Sequence, residues 1–537
     1  MANTDIFLGS GASITFIPEN DIYIGGRKLD NSAFNGAELT QIEVDALFSG
    51  DFSLIIDLYK GCLVERYNSS NELQSTHRIT ANTVDNITIT PSASPAANDY
   101  FVIKSYGSPV PAPTDTAKRL LSDEWLGILE SATFPTTEVE MKQTNLSLGG
   151  SRNFTYQYKG ITSFSGGNLG FVANHGAWLY YFLGKCTNVN ATVAGTGGGT
   201  PSIYAVGGSA DNNKIFIEGT GVSAGTGVDI AGVSETGPLF FRTIGNNFCP
   251  PLAPHLHTLG DMVTLTRPSG TTSISDAITY TFAEQDGDLL PSFSLEQNLS
   301  KLTGTDQYRT NNASEAEDLN FVKIARGCRV NTLTMTANEN EEVKMTLELN
   351  TRNVHDLAQD EQYDARRGVD AETSFFNYES STNTDQMREP FFFSDGTFKV
   401  LGETFLKINS LTLTMSNNLQ DRRFIGVGSK DIQEAIPAQR TYEISFTGHV
   451  TDDALYTALL KDSEETSQII ELIFTKANGE SITLKFNDYF ISANNFPIPD
   501  DKGPIVVEAT VMPRRLANQT DDSLDGCVVK THWVLQG

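Results

Sequence analysis

The run VNTLTMTAN at residues 330–338 has a near echo in INSLTLTMS at residues 408–416. In the first, Leu333, Met335 and Ala337 share one face while Thr332, Thr334 and Thr336 share the other, the period of two that a half-buried β-strand requires. Leu411, Leu413 and Met415 repeat the dry row in the second. Two strands composed alike, each with one dry and one wet side, point to an all-β protein with an internal duplication.

The flanking residues extend both copies. Asn338, Glu339 and Asn340 turn the chain after the first run, and Val343, Met345, Leu347 and Leu349 resume its apolar row, which reads as a hairpin. After the second run comes a long polar loop, then Tyr442, Ile444 and Phe446 on one face. DDALYTALL, residues 452–460, follows as a capped helix with Leu455, Ala458 and Leu459 together. A hairpin closes the segment, pairing Leu472 and Phe474 with Ile482 and Leu484 about an Asn478-Gly479 turn. Upstream, Val139 and Met141 share a face, a loop follows, alternation resumes from Phe154 to Tyr158, and Ala177, Trp178, Tyr181 and Phe182 form the apolar face of a short helix. The order strand, polar loop, strand, helix, hairpin thus runs from about 135 to 355 and again from about 400 to 515.

Three regions lie outside this scheme. The first hundred residues alternate in ASITF, DIYIG and NITIT and end in the proline-rich GSPVPAPTDT, residues 107–116, which reads as a linker. Leu121, Trp125 and Leu129 then recur at helical spacing behind Thr116. Residues 188–238, rich in Gly, Ser and Thr, read as an exposed insertion or flexible hairpin with the single strand-like run NKIFIEG. The expected organisation is an N-terminal β-rich accessory domain and linker at 1–116, a first β domain at 117–375 and a second with a C-terminal tail at 376–537.

A net charge of -28 argues against sequence-independent nucleic-acid binding, which relies on Lys and Arg neutralising phosphates. It suits a surface past which nucleic acid slides without sticking. The 5 cysteines are scattered without paired spacing, so a reducing compartment is expected. The start has no basic segment before a long apolar run, and no window reaches spanning length, so a soluble protein made in a cytoplasm is expected.

Catalytic constellations do not emerge: there is no Gly-x-Ser-x-Gly elbow, His-Glu-x-x-His or dinucleotide fingerprint. Cys249, His255 and His257 have zinc-binding side chains but no evident fourth ligand, and Asp286 and Asp288 lack the rest of a calcium loop. His175, His449 and His532 stand alone. No catalytic residue, cofactor or metal is expected, and the protein reads as no enzyme; a glycan-cleaving alternative would need two carboxylates facing across a cleft.

The segments beginning GCRVNTLTMTAN, INSLTLTMSNN and PTTEVEMKQTN, over roughly residues 125 to 515, together resemble the tail tube proteins of long-tailed bacteriophages. The resemblance implies tandem β-sandwich or split-barrel domains, each with a flanking short helix, that join edge to edge in rings which stack into a conduit for double-stranded DNA. It implies a structural protein of the virion tail, assembled in the host cytoplasm, with other tail proteins as partners and no membrane. A fused pair per chain would complete with three chains the pseudo-sixfold ring that single units complete with six. The long loops, 142–153 and 416–438, become candidates for contacts between stacked rings, with Asn145, Arg152, Asn418, Arg422 and Arg423 as contact residues. The alternative is a tail-surface or host-attachment binding module, because fold alone does not settle function. The N-terminal region and the insertion have no counterpart in a minimal tube protein; they decorate the outside or interlock subunits.

Overall fold

The computed structural model describes residues 12–19, 22–24, 39–43, 52–53, most of 59–107, 112–113, 128–144, 156–176, 178–190, short strands within 202–264, 278–285, 290–300, 320–356, 389–401, 403–404, 408–423, 432–449, 457–458, 460, 469–495, 498, 503–517 and 526–531. The fold is mainly β, as the alternation implies.

In chain order the first half of the body runs β1 (Ala12–Pro18), β2 (Ile128–Thr133), β3 (Thr136–Thr144), β4 (Tyr156–Ser165), β5 (Asn168–Val172), α1 (Trp178–Leu183), β6 (Gly184–Asn190), β7 (Ile278–Glu284), β8 (Phe293–Ser300), β9 (Asn320–Asn338), β10 (Lys344–Asn350) and β11 (Asn353–Asp356). The second half runs β12 (Gly396–Val400), β13 (Ile408–Ser416), β14 (Gln420–Arg422), β15 (Glu434–Ile436), β16 (Thr441–His449), β17 (Ile470–Thr475), β18 (Ser481–Asn495), β19 (Val506–Leu516) and β20 (Cys527–Thr531).

One antiparallel pairing scheme occurs twice. In the first half β1 pairs with β8, β8 with β9, β9 with both β10 and β11, β10 with β5, and β5 with β2. In the second half β12 pairs with β17, β17 with β18, β18 with both β19 and β20, β19 with β16, and β16 with β13. The irregularities coincide as well. The long strands β9 and β18 each pass through a left-handed residue, Gly327 (φ 63) and Asp488 (φ 56). Three residues later each slips by one against its partner, between Val330 and Thr332 and between Ile491 and Ala493. Strands β2 and β13 slip likewise, between Leu129 and Ser131 and between Ile408 and Ser410. Each bulge bends its strand at the same place in the sheet.

The echo strands are therefore neighbours rather than counterparts. The C-terminal part of β9 is hydrogen-bonded to β13, with Leu333 opposite Met415, Met335 opposite Leu413 and Ala337 opposite Leu411. They read alike because adjacent strands facing one core carry the same alternation. The counterpart of 330–334 lies in β18, and that of β13 in β2 and the start of β3. One core of buried side chains runs from Phe134 to Val529, across the boundary expected near 375, because this ladder brings the two halves' apolar rows into contact.

Helix α1 covers this junction. All six of its residues are buried, where the periodicity suggested one apolar face. Trp178 stacks on Phe171 at 5.2 Å and Tyr181 meets Phe293 edge-on. Asn417, buried at the end of β13, donates to the carbonyls of Phe182 and Val330 at 3.0 and 3.1 Å, satisfying a helix end that would otherwise be left bare. Of the second expected helix, Thr457 and Ala458 are described and helical. Leu129 belongs to β2 instead of a helix, while Leu121 and Trp125 lie outside the described residues.

The N-terminal region forms a separate six-stranded sheet, in the order 22–24, 100–103, 63–67, 73–82, 86–93 and 39–43. Strand β1 is not part of it: its ladder to β8 places residues 12–18 in the body, so the accessory unit starts later than position 1. The two parts meet at Glu19, whose carboxylate accepts from Ser292 and Ser294 hydroxyls at 2.5 and 2.6 Å and from the Gly107 and Gly327 amides, both at 2.7 Å. Arg326 donates to the Lys60 carbonyl and Arg352 to that of Tyr106, while the Arg329 guanidinium lies 4.0 Å from the Tyr106 ring centroid. In the insertion, residues 214–218 form the middle of a three-stranded sheet with 202–204 and 227–229, more than the single strand expected.

Near α1, Lys476 pairs with Glu480 at 2.8 Å, both buried, and donates to the Asn174 carbonyl at 2.9 Å. The Asn478-Gly479 turn expected from sequence holds this pair, with Gly479 at φ 89. Burial, reinforced by the Lys476 charge, brings the neighbouring His175 down to about 4. The folded state thus binds its proton less readily than the unfolded chain, whose histidine titrates near 6.5. This contribution to stability is complete above about pH 6.5 and is lost as pH falls toward about 4, by roughly 1.4 kcal/mol per unit. Urea unfolding at pH 7.5, 6 and 5 is expected to show this slope in the parent protein and a shallower one in His175→Gln.

Candidate subunit interface

Eight strands form one continuous run, in the order β2, β5, β10, β9, β13, β16, β19 and β18. Its dry face carries the core rows. Its other face is set with hydroxyls, because the alternation that buries Leu333 and Leu413 turns Thr334 and Thr414 outward. Ser410 and Thr447 hydroxyls lie 2.7 Å apart across β13 and β16, and those of Ser445 and Thr510 lie 3.2 Å apart across β16 and β19. Glu348, Glu443 and Glu508 are exposed on the strands of this run.

The run has two ends. Strand β2 pairs with β5 alone, and β18 from Tyr489 to Asn495 pairs with β19 alone, among the described residues. Each therefore presents backbone donors and acceptors on its outer side, which natural sheets cover or pair. The end at β18 carries exposed apolar side chains, Phe490 at 45% and Ile498 at 84%.

Asp488 aims the outer part of β18. Aspartate tolerates the left-handed conformation better than most residues. Its carboxylate accepts from Arg514 at 3.0 Å and from Arg515 at 2.9 and 2.5 Å. Burial works to raise its pKa, but the hydrogen bonds and charges of the two arginines outweigh burial and hold it below the ordinary aspartate value.

Two hairpin arms leave the run. Among the described residues strands β3 and β4 pair only with each other, and they expose Met141, Tyr156, Tyr158 and Ile161. Strands β14 and β15 form the corresponding arm in the second half. Of the residues picked from sequence, Asn145 and Arg152 lie outside the described residues. Asn418 (φ 48) is exposed and donates to the Gln439 carbonyl at 2.8 Å, across the base of the second arm. Arg422 is exposed and donates to Gln420 at 2.8 Å. Arg423 reaches the Thr162 carbonyl of the first arm at 3.2 Å, so the structure brings the two arms together through it. Sequence reasoning missed Asp488, whose left-handed backbone leaves no mark in the residue pattern, and Ile498, for which the alternate prolines of FPIPD were an available signal.

Cys249, His255, His257, Asp286 and Asp288 lie outside the described residues. Among the described residues no group of His, Cys, Asp and Glu is placed to hold a metal, and no helix is long and apolar enough to cross a membrane. Cys62, Cys328 and Cys527 are buried free thiols.

A family model described as phage tail tube protein matches residues 104–513. No curated protein matches the chain.

Asp488→Asn keeps a residue suited to the left-handed kink and removes the charge. It is expected to lower unfolding stability by about 1 kcal/mol near pH 7, since the arginines are partly exposed. Because the aspartate pKa is lowered on folding, the parent's advantage is present above the unfolded value near 3.9 and fades as pH falls below it. Denaturant titrations of both proteins at pH 7 and pH 3 measure it.

Proposed function

The chain belongs to the phage tail tube protein family and is a structural subunit of the tail tube; we propose that three copies close a ring in which each supplies two wall segments, and that such rings stack into the tube. The observation that carries this reading is the repeated pairing scheme with one open edge at either end of an eight-strand run. The two segments correspond roughly to residues 117–375 and 376–537, with β1 contributed to the first and the N-terminal sheet attached as an accessory.

Geometry favours three chains over six. Three runs of eight strands, at about 4.8 Å spacing and about 40° tilt, close a circle roughly 150 Å around and about 48 Å across at the backbone. Six chains would double that diameter. The smaller bore, narrowed further by side chains, suits a single double helix. The hydroxyl-rich face would line it, offering DNA phosphates few cations to hold them, in keeping with the net charge of -28. On this reading the protein sits in the virion tail, does no catalytic work and assembles in the host cytoplasm beside the other tail proteins.

The arms are proposed as the contacts between successive rings, with Asn418, Arg422 and Arg423 at the second arm and Asn145 and Arg152 in the loop of the first. Their exposed Tyr156, Tyr158 and Ile161 supply apolar area for such docking.

Electron microscopy of the purified protein is expected to show threefold rings or hollow tubes; monodisperse monomers at high concentration would overturn the reading. In the double variant Arg422→Glu and Arg423→Glu, rings are expected to persist while tubes shorten several-fold. Tubes of unchanged length would remove these arginines from the axial contact.

A further inference from the structure

Within the eight-strand run the two halves are joined by the ladder β9 to β13, while outside it β7 pairs with β20. The counterparts of those strands, β18 and β2, are the two open ends of the run. We propose that β18 of one copy pairs antiparallel with β2 and the start of β3 of the next, in the register of the internal ladder. The proposal rests on the tube reading and names the surface and partner that close its ring.

The coincident bulges transfer the register residue by residue. Thr332 and Ala493 each follow the bulge of their long strand, and Ser410 and Ser131 each follow the bulge of theirs. Strand β13 continues to Ser416, whose counterpart by counting is Thr137. Internally Thr332 lies opposite Ser416 and Ala337 opposite Leu411. Between copies, Ala493 therefore faces Thr137, Asn494 faces Thr136, Asn495 faces Pro135 and Ile498 faces Ala132.

Pro135 agrees with this edge. In the internal ladder the Glu339 amide donates to the Asn409 carbonyl and the Asn417 amide to that of Asn331, each at 2.8 Å. Hydrogen-bonded pairs alternate with unbonded ones along an antiparallel ladder, so Leu333, Met335 and Ala337 direct their amides at β13. Their counterparts among the described residues are Asn494 and Ile498, both able to donate. On the facing strand Pro135 is the counterpart of Thr414, whose amide turns away from β9, and the ladder of β2 and β3 to β5 and β4 skips Pro135. Pro135 is therefore not asked to donate across the junction.

Packing agrees too. Ile498 is 84% exposed and Ala132 is exposed, whereas their internal counterparts Ala337 and Leu411 are buried. Ring closure carries Ile498 onto the dry side.

The test is a pair of double variants. Ala493→Cys with Thr137→Cys places two thiols directly opposite on one face; Ala493→Cys with Thr136→Cys places them on opposite faces, since successive side chains alternate. With an added thiol oxidant, the first is expected to give a covalent ladder ending at three chains on denaturing gels, and the second to stay monomeric, like each single variant. Rings without crosslinking of the first, or crosslinking of the second, would overturn this register while leaving the tube reading intact. Absence of rings in the parent would overturn the tube reading and the junction with it. Ile498→Asp is expected to leave the monomer's thermal midpoint unchanged and to abolish rings; rings at the parent's yield would count against the junction.

Discussion

Backbone groups at the margin of a β-sheet must be satisfied, and the architecture of this chain is organised by that demand. The ladder between β9 and β13 satisfies it once, in the middle of the eight-strand run, by bringing together strands from two similarly connected halves. Helix α1 lies over the join, and Asn417 ties the helix end to both halves. Among the described residues the same demand stands unmet at β2 and β18, and the proposed ring would meet it with no new kind of contact.

Much of this was legible in the residues. The strands at 330–338, 408–416 and 441–449 and the turn at Asn478-Gly479 were readable because each strand has one dry and one wet side, the condition under which a period of two is plain. The duplication was legible in outline, but the equivalence of its strands was not: β9 and β13 resemble each other through sharing a core, while true counterparts such as β13 and β2 have diverged. Helix α1 shows no clean stripe because every side of it is buried. The pairing of β1 with β8 joins residues far apart in sequence, and local pattern carries no trace of such a closure. The candidate contact residues were reached through loop position, so the network joining Arg423 to Thr162 was beyond sequence reasoning.

The two kinks show how the halves have specialised. In β18 the left-handed residue is Asp488, which brings its own carboxylate to Arg514 and Arg515. In β9 it is Gly327, where an added Cβ would sit 2.6 Å from that of Arg352, and the carboxylate comes instead from Glu19, which accepts the Gly327 amide. One backbone shape is thus held by a charge from within the strand in one half and from a distant segment in the other. Burying Arg326, Arg329 and Arg352 costs solvation, and hydrogen bonds and the Glu19 charge offset it in part.

The Glu19 node exists in one half alone, since Phe490, the counterpart of Arg329, has an apolar side chain. In the proposed ring of three chains, successive wall segments would therefore alternate between one bearing the N-terminal sheet and one without it. Any neighbour that grips the ornamented segments would find them at every second position, 120° apart, so such a cap, adaptor or sheath must match a threefold periodicity even where the bore itself is nearly sixfold.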